Sequence, residues 1–167
     1  MVLGPTDPVD KILAQWAKER PDLDVSPMGL VGRTTRLASH FRKAIGKTFA
    51  EFGLQLGEFD VLATLRRSGK PYRLSPTELF KSMMVSSGTM TNRIDRLEKA
   101  ELVERIPDPS DRRGTLIHLT DKGFDLIDRA VTAHVANEHS LLKALDPSEK
   151  EALSKLLRKL ILSFEDL

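Results

Sequence analysis

The chain of 167 residues contains no cysteine and no long apolar run. The lack of cysteine excludes a disulfide scaffold, a thiolate zinc site, a cysteine nucleophile and a thiol redox sensor. No apolar run approaches the roughly 18 residues that a membrane span requires. The first residues, MVLGPTDPVD, lack the basic and apolar segments of a signal peptide, so we expect a cytoplasmic protein without a membrane segment.

Charge is unevenly distributed, although the net charge is only +2. Residues 1–27 carry 3 basic and 5 acidic side chains, residues 28–119 carry 16 and 10, and residues 120–167 carry 7 and 9. The centre therefore has a net charge of +6 between ends of −2 each. A basic centre indicates a surface that faces a polyanion, although charge scattered over a solvated surface is the alternative interpretation.

Helical periodicity dominates the chain. Val9, Ile12, Leu13 and Trp16 follow the i, i+3, i+4, i+7 spacing of an amphipathic helix, and similar patterns recur between breaks that contain proline or glycine. The predicted helices span about residues 8–19, 28–52, 57–67, 76–83, 87–99, 120–145 and 150–164.

Two short helices followed by a hairpin form the most specific pattern. The segment Ser75–Glu78 (Ser-Pro-Thr-Glu) predicts an N-cap, a first-turn proline and a capping box. A break at 84–86 leads to a second helix, and two such helices make a candidate helix-turn-helix. The aliphatic runs 102–106 and 115–119 flank a loop rich in Pro, Asp and Gly, which predicts a β-hairpin. This order predicts a mainly α fold with a small hairpin, a winged helix-turn-helix.

One face of the second helix carries side chains that can read DNA. Met90, Ile94 and Leu97 mark its buried face, and polar residues fall opposite. Asn pairs well with adenine, Arg with guanine and Thr with several bases. The hairpin loop adds two arginines that can enter a narrow minor groove, and an aspartate that can hold one of them or stabilise the turn. The candidate DNA-binding residues are Ser86, Ser87, Thr89, Thr91, Asn92, Arg96, Asp111, Arg112 and Arg113.

The element order, the motif DPSDRRG at 108–114 and the motif LTDKG at 119–123 resemble the MarR family of bacterial winged-helix regulators. The resemblance covers about residues 28–165. It implies a homodimer with its two recognition helices in successive major grooves of near-palindromic double-stranded DNA. It also implies a repressor that a small ligand releases. We expect no cofactor, no metal and no catalytic residue.

The expected organisation is an additional N-terminal helix with a connector over residues 1–27 and a MarR-type domain over 28–167. Within that domain, the winged helix-turn-helix spans about 56–119. Dimerisation helices span about 28–52 and 120–165.

Four residues lie where the winged-helix fold does not require them: Trp16, Asp60, Arg93 and Arg105. Their neighbourhoods are similar to those of the urate-responsive PecS/HucR branch of the family, which implies that they bind urate. An indole can cover this flat purine anion, arginines can meet its charge, and a carboxylate can accept its ring N–H groups. Because Arg93 belongs to the recognition helix, bound urate could shift that helix against DNA.

Each of the four residues also has a structural interpretation. Trp16 suits a core or a dimer interface, and Asp60 and Arg93 suit an internal ion pair. Arg105 suits a phosphate contact.

Other effectors and another class of protein stay open. The effector is alternatively a different aromatic or phenolic anion, or pH sensed by His134 or His139, although both histidines also suit an exposed surface. An enzyme acting on a purine is the alternative class. However, the four histidines show no metal spacing, and the chain has no nucleophile motif and no phosphate-binding loop.

Overall fold

The structure, a computed structural model, describes residues 6–83, 90–111 and 113–165. The helices in these residues are α1 (Pro8–Glu19), α2 (Ser26–Ala50), α3 (Leu56–Arg67), α4 (Pro76–Ser82), α5 (Met90–Lys99), α6 (Asp121–Leu141) and α7 (Pro147–Glu165). The strands are β1 (Arg73–Leu74), β2 (Val103–Pro107) and β3 (Thr115–Leu119). The chain divides into two compact units, one ending at Ala44 and one beginning at Ile45. No helix in these three ranges is long and apolar enough to cross a membrane.

In the first unit, α1 is capped and tied to α2 by charged side chains. The Asp7 carboxylate accepts the backbone N–H of Val9 at 2.7 Å and of Asp10 at 3.1 Å, and the Asp10 carboxylate accepts the Asp7 N–H at 2.8 Å. Arg33 of α2 forms ion pairs with Asp7 at 2.8 Å and with Asp10 at 2.6 Å. These contacts explain why α1 begins at Pro8, the start that the sequence predicts.

The second unit contains the hydrophobic core. The rings of Phe49 and Phe59 stack with centroids 3.8 Å apart. Ile94 and Leu97 of α5 are buried in the same cluster, as the helical spacing predicts. Other buried members, from α3, α4, the sheet and α6, are Val61, Leu62, Leu65, Leu79, Val103, Ile117 and Ile127.

The predicted hairpin is confirmed, and it belongs to a three-stranded antiparallel sheet. Strand β3 pairs with β2 in the register Val103 to Leu119 through Pro107 to Thr115. The sheet order is β1-β3-β2, so β3 lies in the centre. Sequence analysis missed β1 because a strand of two residues shows no alternation of polar and apolar side chains.

Several helix ends differ from the predicted ones. Helix α2 runs from Ser26 to Ala50, and Gly53, with a φ of 69°, lies in the turn that follows it. Helix α6 ends at Leu141 instead of residue 145, and α7 begins three residues earlier than predicted. The early start of α7 is explained by Asp146, whose carboxylate accepts the Glu149 N–H at 2.9 Å. The predicted start of the second short helix at residue 87 lies outside the described residues.

Candidate functional site

Helix α5 presents a polar, solvent-exposed face opposite its buried residues. The described part of this face includes three predicted DNA-binding residues: Thr91, Asn92 and Arg96. The other predicted residues of the helix-turn-helix and one loop arginine lie outside the described residues: Ser86, Ser87, Thr89 and Arg112. The exposed residues are amide, hydroxyl and guanidinium groups, which can all bond to base edges.

The loop between β2 and β3 is a turn closed by its own polar groups. Asp108 accepts the hydroxyl of Ser110 at 2.6 Å and its N–H at 2.8 Å, and these bonds hold the pKa of the Asp108 carboxyl below its ordinary value. Asp111 accepts the backbone N–H of Arg113 at 2.9 Å. The structure thus shows Asp111 stabilising the turn, and the Arg113 side chain is exposed at the tip.

Arg93 extends from α5 onto the first turn of α3. A Cβ on Gly57 would lie 2.4 Å from Nε and 2.5 Å from Cζ of Arg93, so the guanidinium occupies space that only glycine leaves free. Nη1 of Arg93 is buried and has no hydrogen-bond partner in the described part of the chain. Asp60 is partly buried and follows Gly57 by three residues, which places it on the same side of α3. Asp60 therefore lies on the side of α3 that Arg93 contacts at Gly57.

A second arginine of α5 contacts the same turn of α3. Nε of Arg96 lies 2.9 Å from Oε1 of Glu58, whose side chain is 5% exposed. Oε2 of Glu58 accepts the backbone N–H of Gln55 at 2.7 Å. Sequence analysis missed Glu58. The only signal was the capping-box spacing of Gln55 and Glu58, which says nothing about a distant arginine.

Arg105 lies on a different side of α5. Its guanidinium forms ion pairs with Asp95, at 2.5 Å, and with Glu98. The hydrogen bond that Arg105 donates to Asp95 raises the pKa of Arg105 above its ordinary value, so the side chain remains cationic. By helical spacing, Asp95 and Glu98 face away from Arg93. Within the second unit, Arg105 is therefore separated by α5 from the other two predicted ligand residues.

A cleft of about 490 Å³ lies between α4, α5 and the hairpin. Arg105 supplies a cation to its lining, Thr91 supplies a hydroxyl, and Phe80 and Met90 supply apolar surface. The structure thus brings together one residue predicted to bind ligand and one predicted to bind DNA.

Trp16, the fourth predicted ligand residue, lies in the first unit. Its side chain is 42% exposed on α1, on the same face as Ile12, which is 45% exposed. The four predicted ligand residues are therefore divided between the two units, with Trp16 in the first and three in the second.

His134 is partly buried, whereas its sequence pattern also suited an exposed surface. Its side chain is 19% exposed, and its ring centroid lies 5.0 Å from that of Phe49 and 5.2 Å from that of Phe59. Nε2 lies 3.2 Å from a carboxylate oxygen of Glu138, while buried Nδ1 has no partner among the residues that the structure describes. His139 is exposed.

The short helices α4 and α5, the hairpin after them and the exposed polar face of α5 define a winged helix-turn-helix DNA-binding protein. The sequence model of the MarR family matches residues 54–115. The HTH-type transcriptional regulator PecS of Dickeya dadantii is 45% identical over 149 residues, which cover 89% of this chain and 90% of that protein. The chain belongs to the MarR family of transcriptional regulators.

Two solved structures extend the comparison. BpsR of Bordetella bronchiseptica, whose DNA binding is regulated by 6-hydroxynicotinic acid, is 28% identical with a TM-score of 0.68, over 77% of this chain and 90% of that one. Sco3205 of Streptomyces coelicolor, a MarR family regulator solved in complex with DNA, is 25% identical with a TM-score of 0.72, over 83% and 88%. These similarities to transcriptional regulators confirm the prediction that the protein is not an enzyme.

Proposed function

We propose that the protein is a homodimeric repressor that occupies near-palindromic promoter DNA and releases it on binding urate. Helix α5 reads the major groove through Thr91, Asn92 and Arg96, and Arg113 of the loop approaches the minor groove. The DNA complex of Sco3205 and the DNA regulation of BpsR support this use of the fold.

The buried Nη1 of Arg93 supports a ligand at the α3–α5 contact most directly. A buried N–H group without an acceptor is costly, and an anion that accepts its hydrogen bond would remove that cost. Asp60 is on the same side of α3 and can accept ring N–H groups of a purine. Arg93 belongs to α5, the recognition helix. A ligand that binds Arg93 therefore shifts this helix if the affinity of the ligand differs between the conformation that binds DNA and the one that does not.

The exposed apolar surface of α7 supports the homodimer. None of the 19 residues of α7, all of which the structure describes, is buried in the single chain. Leu156 is 62% exposed and Phe164 is 75% exposed. The remaining large exposed apolar residues of the helix are Leu157, Leu160, Ile161 and Leu162. Such an exposed apolar surface is typical of an interface, and a second copy of the chain also provides the second recognition helix that a near-palindrome requires.

The ligand proposal is tested by thermal unfolding of the purified protein over a urate titration, with xanthine as a purine control. We expect Tm to rise with urate alone, since native-state binding adds about 2.7 kcal/mol at a hundred times Kd. The rise should disappear in Trp16→Ala and persist in Ile12→Ala, which truncates a similarly exposed residue of the same helix. Absence of any shift at millimolar urate, in protein that still binds DNA, would overturn urate as the effector.

The cleft at Arg105 favours a second candidate, a regulator of the same kind that responds to another aromatic acid. The apolar walls suit an aromatic ring, and the Thr91 hydroxyl and the N–H groups that Arg105 does not donate to Asp95 and Glu98 can bond to its carboxylate. Salicylate in the same titration tests this candidate. A Tm rise with salicylate that Phe80→Ala removes and Trp16→Ala leaves intact would support it, and the absence of such a rise would exclude it for this probe.

A further inference from the structure

We propose that Glu58 of α3 is a positioning residue that holds Arg96 of α5 in the orientation in which it reads DNA. The inference rests on the proposed DNA contact of Arg96. It assigns a role in DNA recognition to a buried residue that does not itself touch the duplex. The relationship on which it depends is the 2.9 Å contact between Arg96 Nε and Glu58 Oε1.

Glu58 is a rigid acceptor because both of its oxygens are engaged. Oε2 accepts the backbone N–H of Gln55 at the start of α3, and Oε1 forms an ion pair with Nε of Arg96. The residue is 4% exposed, so its charge is largely removed from water and depends on its partners. Only the carboxylate of this pair is buried, and without Arg96 it would lose its ion-pair partner, which favours the paired arrangement.

Arg96 is held at one end and open at the other. Its side chain is 58% exposed although Nε is bound. Guanidinium is planar, so an ion pair at Nε restricts the plane in which the two terminal amino groups lie. Asn92 precedes Arg96 by four residues and is exposed on the same side of α5. The terminal groups of Arg96 thus emerge beside another predicted base contact.

Holding the guanidinium in place before DNA arrives improves discrimination between sequences. An arginine recognises guanine by two parallel hydrogen bonds to O6 and N7, which require a defined plane. A side chain that is already oriented loses less conformational freedom on binding. A freely rotating arginine keeps its charge and its attraction to phosphate but loses this directional selectivity.

The test compares Glu58→Gln with wild type on two duplexes, one enriched from a random library by the wild-type protein and one with the same bases scrambled. Glutamine preserves an acceptor for the Gln55 N–H but removes the charge that binds Arg96. We expect the ratio of the two affinities to fall about tenfold, with affinity for the scrambled duplex and the salt dependence retained. The matched control is Glu101→Gln, which removes an exposed carboxylate paired with Lys122 and should preserve the ratio.

A second pair of variants separates the proposed DNA contact of Arg96 from its proposed positioning by Glu58. Arg96→Gln tests the DNA contact, and Glu58→Gln/Arg96→Gln tests it without leaving a buried unpaired carboxylate. If the two residues act together, the double variant should discriminate between the two duplexes no worse than Arg96→Gln does. If the arginine variants lose discrimination and Glu58→Gln keeps it, positioning by Glu58 is wrong while the DNA contact stands. If the arginine variants keep discrimination, the contact itself is wrong and the inference fails with it.

Discussion

Arg93 of the recognition helix lies against Gly57 of α3 so closely that a Cβ at residue 57 would be 2.4 Å from Nε. The glycine therefore determines where the guanidinium lies. Adding one methyl group at residue 57 tests the proposed ligand site without altering any charged residue.

Gly57→Ala should displace Arg93 and weaken urate binding at least about tenfold, the effect of losing one charge-assisted hydrogen bond. The helix itself should persist, since alanine favours helix over glycine by about 1 kcal/mol. Isothermal titration with urate measures the change. Gly46→Ala is the control, because a Cβ there meets nothing within 4 Å. Unchanged urate affinity in Gly57→Ala would contradict the site.

Arg113→Ala and Asn92→Ala should impair DNA binding in different ways. Loss of Arg113, exposed at the loop tip, should weaken binding to selected and scrambled duplexes alike and reduce the salt slope by about 1. Loss of Asn92 should reduce discrimination by on the order of 1–3 kcal/mol with a smaller effect on the scrambled duplex. Fluorescence anisotropy over a salt series measures both. Equal losses on both duplexes for both variants would refute this division.

Asp95→Asn/Glu98→Gln should weaken DNA binding even though it removes two negative charges. These carboxylates hold Arg105, and with it strand β2 of the hairpin, against α5. Electrostatics alone predicts tighter binding to the phosphate backbone after their neutralisation. An affinity that falls therefore identifies a role in positioning the hairpin, whereas an affinity that rises shows that the ion pairs do not position it. Urate affinity, measured without DNA, should stay the same.

Leu160→Glu should dissociate the proposed dimer. Leu160 is 48% exposed on α7, and burying a leucine contributes about 1.5–3 kcal/mol per copy. The dissociation constant should therefore rise by about a hundredfold or more, as measured by sedimentation velocity. Lys155→Glu also introduces a negative charge into α7, at a side chain that is 65% exposed and paired with Glu151, and should not alter the dimer. Identical sedimentation of Leu160→Glu and wild type would exclude this face as the interface.

Acid should destabilise the first unit because it protonates the Asp7 carboxylate. The hydrogen bond from Arg33 is the largest cause that holds the pKa of the Asp7 carboxyl below its ordinary value of 3.8. A lowered folded-state pKa means that the contribution to stability is present above pH 3.8 and is lost as pH falls through the lowered value. Circular dichroism between pH 5 and 2 should show a loss of helix that is smaller in Asp7→Asn, since asparagine still caps α1. An identical acid profile for the two proteins would contradict this role.

The start of α1 at Pro8, the capping box from Ser75 to Glu78, the buried face of α5 and the two strands of the hairpin were all predicted from the sequence. Each depends on residues within a few positions of one another, where helical spacing and capping chemistry act directly. The same holds for the resemblance that indicated the family, because its motifs are short and contiguous.

Tertiary structure alone decided how these elements meet. Arg93 and Gly57, and Arg96 and Glu58, are separated by more than 30 residues, and no local pattern pairs them. The addition of β1 to β3 likewise depends on a partner far along the chain. A sequence states which side chains can bond and which faces are apolar. The packing of α3 on α5 determines that Nη1 of Arg93 is buried, that Arg96 reaches Glu58 and which groups stay exposed for DNA.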